Sequence, residues 1–339
     1  MRIGVIGAGA VGGVFAGLLA AHGNDVEVTA RGAQLDALQA DGLLLDGGWG
    51  EHRVRVAAHP TLEQRPELAI LATKAQDAAT ALAANATRLD GVPLLVVQNG
   101  LGGLDVARRE LPDSPVLGAL ALFAASYLEP GHVTVTGPNP VVVGAGPGCD
   151  AALLAHLAEV VGAALPVEVT DDIRGAQWTK LLINHVNALP AITGLSVQEV
   201  IADAGLRRLM TASMRETVRV ARRIGVRFGR VQGVSGGVLD LIGVLPLALG
   251  EQFPRLLARR MGSVPNPGST LQSIRRGQLT EIDYLNGAVV AAAAEHGLTA
   301  PVNAAIVELV HEVERTAEFL APAEVVRRVA AQHPTPPIE

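Results

Sequence analysis

An ammonium and two carboxamides share one stripe of an otherwise apolar stretch, "WTKLLINHVNALP" (178–190): Lys180, Asn184 and Asn187. At about 100° per residue, a helix places these three side chains within roughly 60° of one another around its axis. Such a stripe is a solvated face, a polar seam between helices, or the wall of a polar pocket. As a pocket wall its chemistry is legible: the lysine hands a proton to a carbonyl oxygen, and the two amides hold the oxygens of the molecule that carries it. All but two of the 27 basic residues are arginine, and the exceptions are Lys74 and Lys180. An arginine excess fits the codon usage of a GC-rich genome. Arginine does not release a proton near neutral pH, whereas lysine does when its surroundings lower its pKa. The two retained lysines are therefore candidates for chemistry, Lys180 above all.

A second constellation is Gly7–Ala8–Gly9–Ala10–Val11–Gly12, a G-x-G-x-x-G turn directly after a short apolar strand and at the opening of a helix. In that context each glycine has a purpose. Gly7 permits the tight turn, Gly9 the approach of a pyrophosphate, and Gly12 the close packing of helix on strand. The helix N-terminus attracts phosphate. A glycine-rich turn without ligand is the alternative. The next strand ends in "VTAR", with Arg31 where an acid would otherwise meet a ribose 2′-hydroxyl. An arginine there suits a 2′-phosphate, so the expected cofactor is NADPH rather than NADH. Asp25 and Glu27 lie too early in that strand to reach the ribose. Two later strands exit through "ATKAQD" and "VQNG". Ligands in such sheets sit beyond the carboxyl ends of the strands, which makes Lys74, Gln98 and Asn99 cofactor-facing candidates, although Asn99–Gly100 is also a turn signal. A third constellation, "NPGSTLQSIRRGQLTEIDYLNG" (266–287), holds Ser269 and Glu281 twelve residues apart. Thr280 and Asp283 there also read as an approximate capping box.

These residues need two kinds of scaffold. The first 170 residues alternate strand and helix, with strands expected at "RIGVIG", "DVEVTA", "PELAILATK", "VPLLVVQNG", "PVLGALALFAAS", "HVTVTG" and "PVVVGA". That alternation predicts a mainly parallel sheet covered on both faces. After about residue 172 the strand signal stops. Helices are expected over 173–190, 197–225, 236–260, 268–276, 280–296, 302–317 and 322–332, with a break at "SVPNPGS" and a frayed tail "HPTPPIE". The expected fold is an α/β N-terminal Rossmann-type domain (1–171) with a mainly parallel sheet, followed by an all-α domain (172–335) that carries the substrate and catalytic residues.

Composition narrows the classes. Of 339 residues, 49% are hydrophobic and 18% charged, ample for two cores. A net charge of −6 argues against a nucleic-acid partner. The single cysteine, Cys149, permits neither an intrachain disulfide nor a cysteine metal site, so a reducing, cytoplasmic location and no metal are expected. The apolar N-terminus is punctuated by seven glycines, and the run 233–250 contains Asp240 and Pro246, so neither reads as a membrane segment. An alanine-rich helical domain is compatible with a homodimer and equally with a monomer.

"GAGAVGG", the arginine after the second strand, "TKAQD", "QNGLG", "WTKLLIN" and "STLQSIRRGQLTEIDYLNG", in this order, resemble the ketopantoate reductases (2-dehydropantoate 2-reductases). The resemblance implies an NADPH-dependent reduction of a small 2-oxo acid, with Lys180 as proton donor. It implies that Asn99 contacts cofactor and substrate, that Asn184 and Ser269 bind substrate, that Glu281 meets the cofactor end of the site and that Ala125 lies near the nicotinamide. Two departures stand out. The family spaces its second asparagine eight residues after the lysine, where this chain has Ala188; its asparagine, Asn187, comes one residue earlier, as though the helix had lost a residue at a local bulge. "ITGLSVQEV" also lacks an asparagine that some members use. Asn187 still falls on the Lys180 face and is retained as a substrate ligand. Two other readings remain: a reductase of another branched 2-oxo acid or of a specialised metabolite, and a dinucleotide-binding sensor without turnover.

Overall fold

The computed structural model describes residues 1–262 and 264–332. The tail 333–339, Ser263 and the far limit at residue 335 of the expected helical domain lie outside the described residues. The chain divides into two compact units, Met1–Ile173 and the remainder from Arg174.

The first unit runs β1 (Arg2–Ile6), α1 (Ala10–Ala21), β2 (Asp25–Thr29), α2 (Gly32–Asp41), β3 (Leu43–Gly47), β4 (His52–Val54), β5 (Ala57–His59), β6 (Leu68–Leu71), α3 (Ala78–Leu89), β7 (Leu94–Val97), α4 (Gly103–Glu110), β8 (Val116–Ala121), β9 (Ala124–Glu129), β10 (His132–Gly137), β11 (Val141–Ala145), α5 (Ala151–Gly162) and β12 (Val167–Thr170). Eight strands form the main sheet in the order β12-β11-β8-β7-β6-β1-β2-β5. All its pairings are parallel except β8 with β11. Every residue of β6 and β7 is apolar and buried, as expected of strands covered on both faces. The chain steps from β1 to β2 on one side and later from β6 to β8 on the other. The strand order therefore reverses between β1 and β6, and the carboxyl ends there open a crevice.

A second sheet, β4-β3-β10-β9, was not foreseen. The stretch 115–126, expected as one strand, divides: β8 stays in the main sheet and β9 joins the second. Leu122 and Phe123 are buried at the crossing, where the Phe123 ring meets Trp49 edge-on at 5.5 Å. The second sheet packs on α1. A Cβ at Gly13 or Gly17 would press on Val133 or Leu45. The helix is buried continuously from Gly12 to Leu19, which explains why it is apolar all round rather than amphipathic.

The second unit is helical: α6 (Ile173–Asn184), a 3₁₀ turn His185–Asn187, α7 (Ala188–Thr193), α8 (Val197–Ala202), α9 (Ala204–Arg223), α10 (Gly236–Val244), α11 (Leu247–Gly250), α12 (Gln252–Arg260), α13 (Gly268–Arg275), a 3₁₀ turn Ile282–Tyr284, α14 (Asn286–Glu295), α15 (Pro301–Thr316) and α16 (Pro322–Gln332). The long α9 is its hub; α8, α10, α11, α12, α14, α15 and α16 all pack against it. Three expected helices are broken and a fourth starts late. Asp203 ends α8, and its side chain caps α9 by accepting from the Leu206 N–H at 2.8 Å. Pro246 interrupts 236–260, since a proline has no N–H to continue the ladder. The stretch 173–190 tightens into 3₁₀ geometry at 185–187. The capping box expected at Thr280 does not form: the Thr280 N–H goes to Glu314 (2.7 Å) and Asp283 turns to His311 (2.9 Å). Among the described residues no helix is long and apolar enough to cross a membrane, and no group of three His, Cys, Asp or Glu side chains is placed to hold a metal.

Candidate active site

In the N-terminal unit the glycine turn lies at the β1–β6 reversal. Gly7 has φ +98°, and a Cβ on it would stand 2.9 Å from the Thr73 backbone nitrogen; both facts demand glycine. A Cβ at Gly12 would run into the Gly7 carbonyl oxygen and against Ala72. Gly9 is different: no protein atom lies within 4 Å of its would-be Cβ. The fold gives no reason for a glycine there, whereas a ligand approaching the turn backbone does. The turn is braced from outside the motif. Thr29 at the end of β2 takes the Gly7 N–H on Oγ1 (3.0 Å) and the Ala8 N–H on its carbonyl (3.1 Å). Buried Gln34 donates to the Ala8 carbonyl (2.8 Å) and accepts the Gly131 N–H (2.7 Å), joining the turn to the β9–β10 hairpin. Sequence reasoning missed both residues, because bracing polar groups leave no motif.

Arg31 is exposed at the N-cap of α2 and has no hydrogen-bond or ion-pair partner among the described residues. A cation at a helix N-terminus opposes the helix dipole, so it does not serve the helix. The strand's acids are engaged elsewhere: Glu27 accepts the Glu63 and Gln64 N–H groups, and Asp25 pairs with Arg2. Lys74 and Asn99 are half-buried at the exits of β6 and β7. Gln98 is buried and turns inward, donating to the Thr73 carbonyl at 3.0 Å. It ties the two exits together, and its Oε1 has no partner among the described residues. Ala125 sits in β9, opposite Val135 of β10. The open space over Gly9, the turn's dipole and the unpaired guanidinium fit a phosphorylated dinucleotide.

In the helical unit the stripe is visible as burial. From Trp178 to Pro190 every residue is buried except Lys180, Asn184 and Asn187, which are half-buried. The stripe is thus neither fully solvated nor sealed between helices. Lys180 keeps some surface, yet the protein crowded around it pushes its ammonium down to about 8, against the pull of the Glu281 carboxylate. A proton held that loosely suits a general acid near neutral pH. Asn187 reaches the start of α13: a Cβ at Gly268, which has φ +72°, would meet Asn187 Oδ1 at 2.6 Å. Ser269 follows, exposed in the first turn of α13. Asn266 holds this loop by accepting the Gly268 N–H (2.9 Å) and giving its own N–H to Gln198 (2.9 Å). The fold of this unit therefore brings Asn187 beside Gly268–Ser269 and puts Lys180 within the field of Glu281. Gly268 and Asn266 went unnoticed in the sequence, where "NPGS" reads only as a turn.

Both units match known proteins. The family described as "Ketopantoate reductase PanE/ApbA" matches residues 3–148, and its C-terminal counterpart matches residues 172–314. A 2-dehydropantoate 2-reductase of Halobacterium salinarum is 30% identical over 323 residues, covering 93% of this chain and 99% of its own. The crystal structure of a PanE/ApbA family ketopantoate reductase from Ralstonia eutropha is 31% identical with a TM-score of 0.79, covering 93% of this chain and 99% of that one. A D-mandelate dehydrogenase solved with NADH and anilino(oxo)acetate has the same fold at 22% identity, with a TM-score of 0.79 and coverage of 93% and 99%.

Proposed function

The chain belongs to the ketopantoate reductase family, and on that premise we propose that it reduces 2-dehydropantoate to pantoate with NADPH. The observation that carries the reading is the half-buried stripe of Lys180, Asn184 and Asn187 in a buried run, with the lysine tuned to about 8. The turn Gly7–Gly12 would hold the pyrophosphate, Arg31 the 2′-phosphate, and Lys74, Gln98, Asn99, Ala125 and Glu281 the remainder of the cofactor. A bound NADPH supplies the hydride. Lys180 Nζ holds a proton and delivers it to the substrate's keto oxygen. A positioned general acid of this kind is worth about 10²–10⁴-fold in rate, and its lowered affinity for the proton eases the transfer. Asn184, Asn187, Ser269 and Asn99 bind the carboxylate, the keto oxygen and the terminal hydroxyl, and so orient the reacting carbon.

A second reading, a reductase of a different branched 2-oxo acid, is favoured by the shortened segment at 185–187 beside the substrate stripe. A sensor without turnover is disfavoured, since a lysine tuned toward neutral pH serves no purpose in passive binding. The deciding experiment is a turnover panel of branched 2-oxo acids, each with NADPH and NADH, followed by loss of the reduced-nicotinamide absorbance. Ketopantoate should exceed its deoxy analogue, 2-oxo-3,3-dimethylbutanoate, by a wide margin in kcat/KM, because a pocket built to hydrogen-bond a hydroxyl rejects its absence. A deoxy compound that performs as well transfers the assignment to the second reading; no turnover at all leaves the sensor.

A further inference from the structure

His185 is the most deeply engaged polar side chain beside the stripe. It is 2% exposed and lies between Asn184 and Asn187. Its Nδ1 is 2.8 Å from Ser213 Oγ of α9 and 3.0 Å from Asn286 Nδ2 of α14, and its Nε2 is 3.1 Å from Thr217 Oγ1 of α9. The network orients itself from one end. The Glu216 carboxyl accepts from the Val302 and Asn303 N–H groups and from Asn303 Nδ2. That fixes Asn303 Oδ1 as the acceptor for Asn286 Nδ2 at 2.9 Å. Asn286 Nδ2 is therefore a donor, Ser213 Oγ likewise donates to Asn303 Oδ1 at 2.8 Å, and the His185 ring is held at both nitrogens. Thr217 passes its own hydroxyl proton to the Ser213 carbonyl at 3.0 Å.

The backbone at this point is not α-helical. Asn184 and Asn187 have ψ of −13° and −17°, and the Ala188 N–H bonds back to the His185 carbonyl. A three-residue step in a 3₁₀ turn rises about 6 Å and brings the side chains into register. Four residues of α-helix also rise about 6 Å. The turn thus gives Asn184 and Asn187, three residues apart, the axial spacing of a four-residue α-helical step. Relaxed to α-geometry, Asn187 would fall back by about 1.5 Å and swing by roughly 60° from Asn184.

We infer that His185 is a positioning residue: by tying the turn to α9 and α14 it holds the tight geometry that keeps Asn187 in register with Asn184. This rests on the proposed function for its kinetic consequence, but not for its structural one. Three variants test it. His185→Leu removes every hydrogen bond of the ring, His185→Asn keeps an acceptor toward Ser213 and Asn286, and His185→Gln reaches toward Thr217. In His185→Leu, KM for the 2-oxo acid should rise about ten- to a hundredfold, as for a misplaced binding group. The preference for ketopantoate over its deoxy analogue should shrink, and the NADPH dissociation constant should hold. His185→Asn should recover part of the KM. A purely structural role would instead lower the number of NADPH-binding sites and kcat at constant KM, which overturns the inference. Crystal structures of wild type and whichever of the three variants folds provide a readout free of activity. Asn187 should leave Gly268 in the variant, and an unmoved Asn187 overturns the inference even if the enzyme is active. Wild-type protein inactive on every 2-oxo acid defeats the proposed function alone, since the crystallographic comparison still decides His185.

Discussion

At the scale of single residues, Lys180 and Arg31 stand out as candidates because each breaks a background. One is a lysine among arginines, and the other is a base where the fold commonly places an acid. The structure adds what composition could not, the crowding that lowers the Lys180 pKa to about 8 and the opposing carboxylate of Glu281. The acid form is needed for proton delivery, so kcat should decline as pH rises through about 8. Glu281→Gln removes the charge that supports the ammonium and should move that alkaline limb to lower pH; an unmoved limb would assign it to another group. Lys180→Arg keeps the charge but not a readily released proton, and Lys180→Met keeps neither. Both should lose at least about a hundredfold in kcat. Lys180→Met should keep or raise Tm at neutral pH, because it removes an ammonium that burial disfavours. Retention of kcat by the arginine variant would reduce the residue to an electrostatic role. For Arg31→Ala, loss of a charge-assisted contact worth about 1.5–3 kcal/mol should weaken NADPH binding about ten- to a hundredfold with little change for NADH. Parallel losses measured by titration with both cofactors would show that the arginine does not read the phosphate.

At the scale of elements, the sequence announced seven strand stretches and the helical half, but not β3, β4, β5 and β12, nor where elements break or which sheet receives them. "PVLGALALFAAS" is uniformly apolar, and nothing in it marks Leu122–Phe123 as the crossing between two sheets. The helical stretch 173–190 has an unbroken pattern too; nothing in it marks the 3₁₀ turn at 185–187, where the His185 ring is bonded to Ser213, Thr217 and Asn286. Gly268 shows how an element boundary enters the site. It opens α13 at φ +72°, where a Cβ would stand 2.6 Å from Asn187 Oδ1. Gly268→Ala would strain the backbone by about 1–2 kcal/mol and push the Asn187 amide away. The expected outcome is a modest drop in Tm with a rise in KM for the 2-oxo acid and an unchanged NADPH dissociation constant. A KM equal to wild type would separate the α13 loop from the substrate.

At the scale of the whole molecule, the α/β-then-helical plan followed from period and motif, whereas the polar interior of the helical unit left no trace in either. That interior governs how stability responds to pH, and two histidines act in opposite directions. For His311, burial opposes the charge, but Glu314 and Asp283, bonded at 2.7 and 2.9 Å, outweigh it and hold the imidazole above its usual range. A raised folded pKa means stability that is present at low pH and is lost as pH climbs through it. His185 is the reverse: burial drives it from 6.5 down to about 3, so it folds neutral. Its contribution is complete above about 6.5 and drains away as pH falls toward 3. The larger shift wins, so the acid side should be the steeper. Below about pH 6 one proton taken up only on unfolding gives a slope of about 1.4 kcal/mol per pH unit. Carboxylates held low by their partners, such as Glu312 beside Arg328, add to it only at more acid pH. Thermal unfolding between about pH 6.5 and pH 5, above the carboxylate range, should therefore show a falling Tm in wild type and a flatter one in His185→Asn, which has no proton to take up at that position. If the two curves stay parallel across that interval, His185 is not the group that titrates, and the buried network must already accommodate its charge.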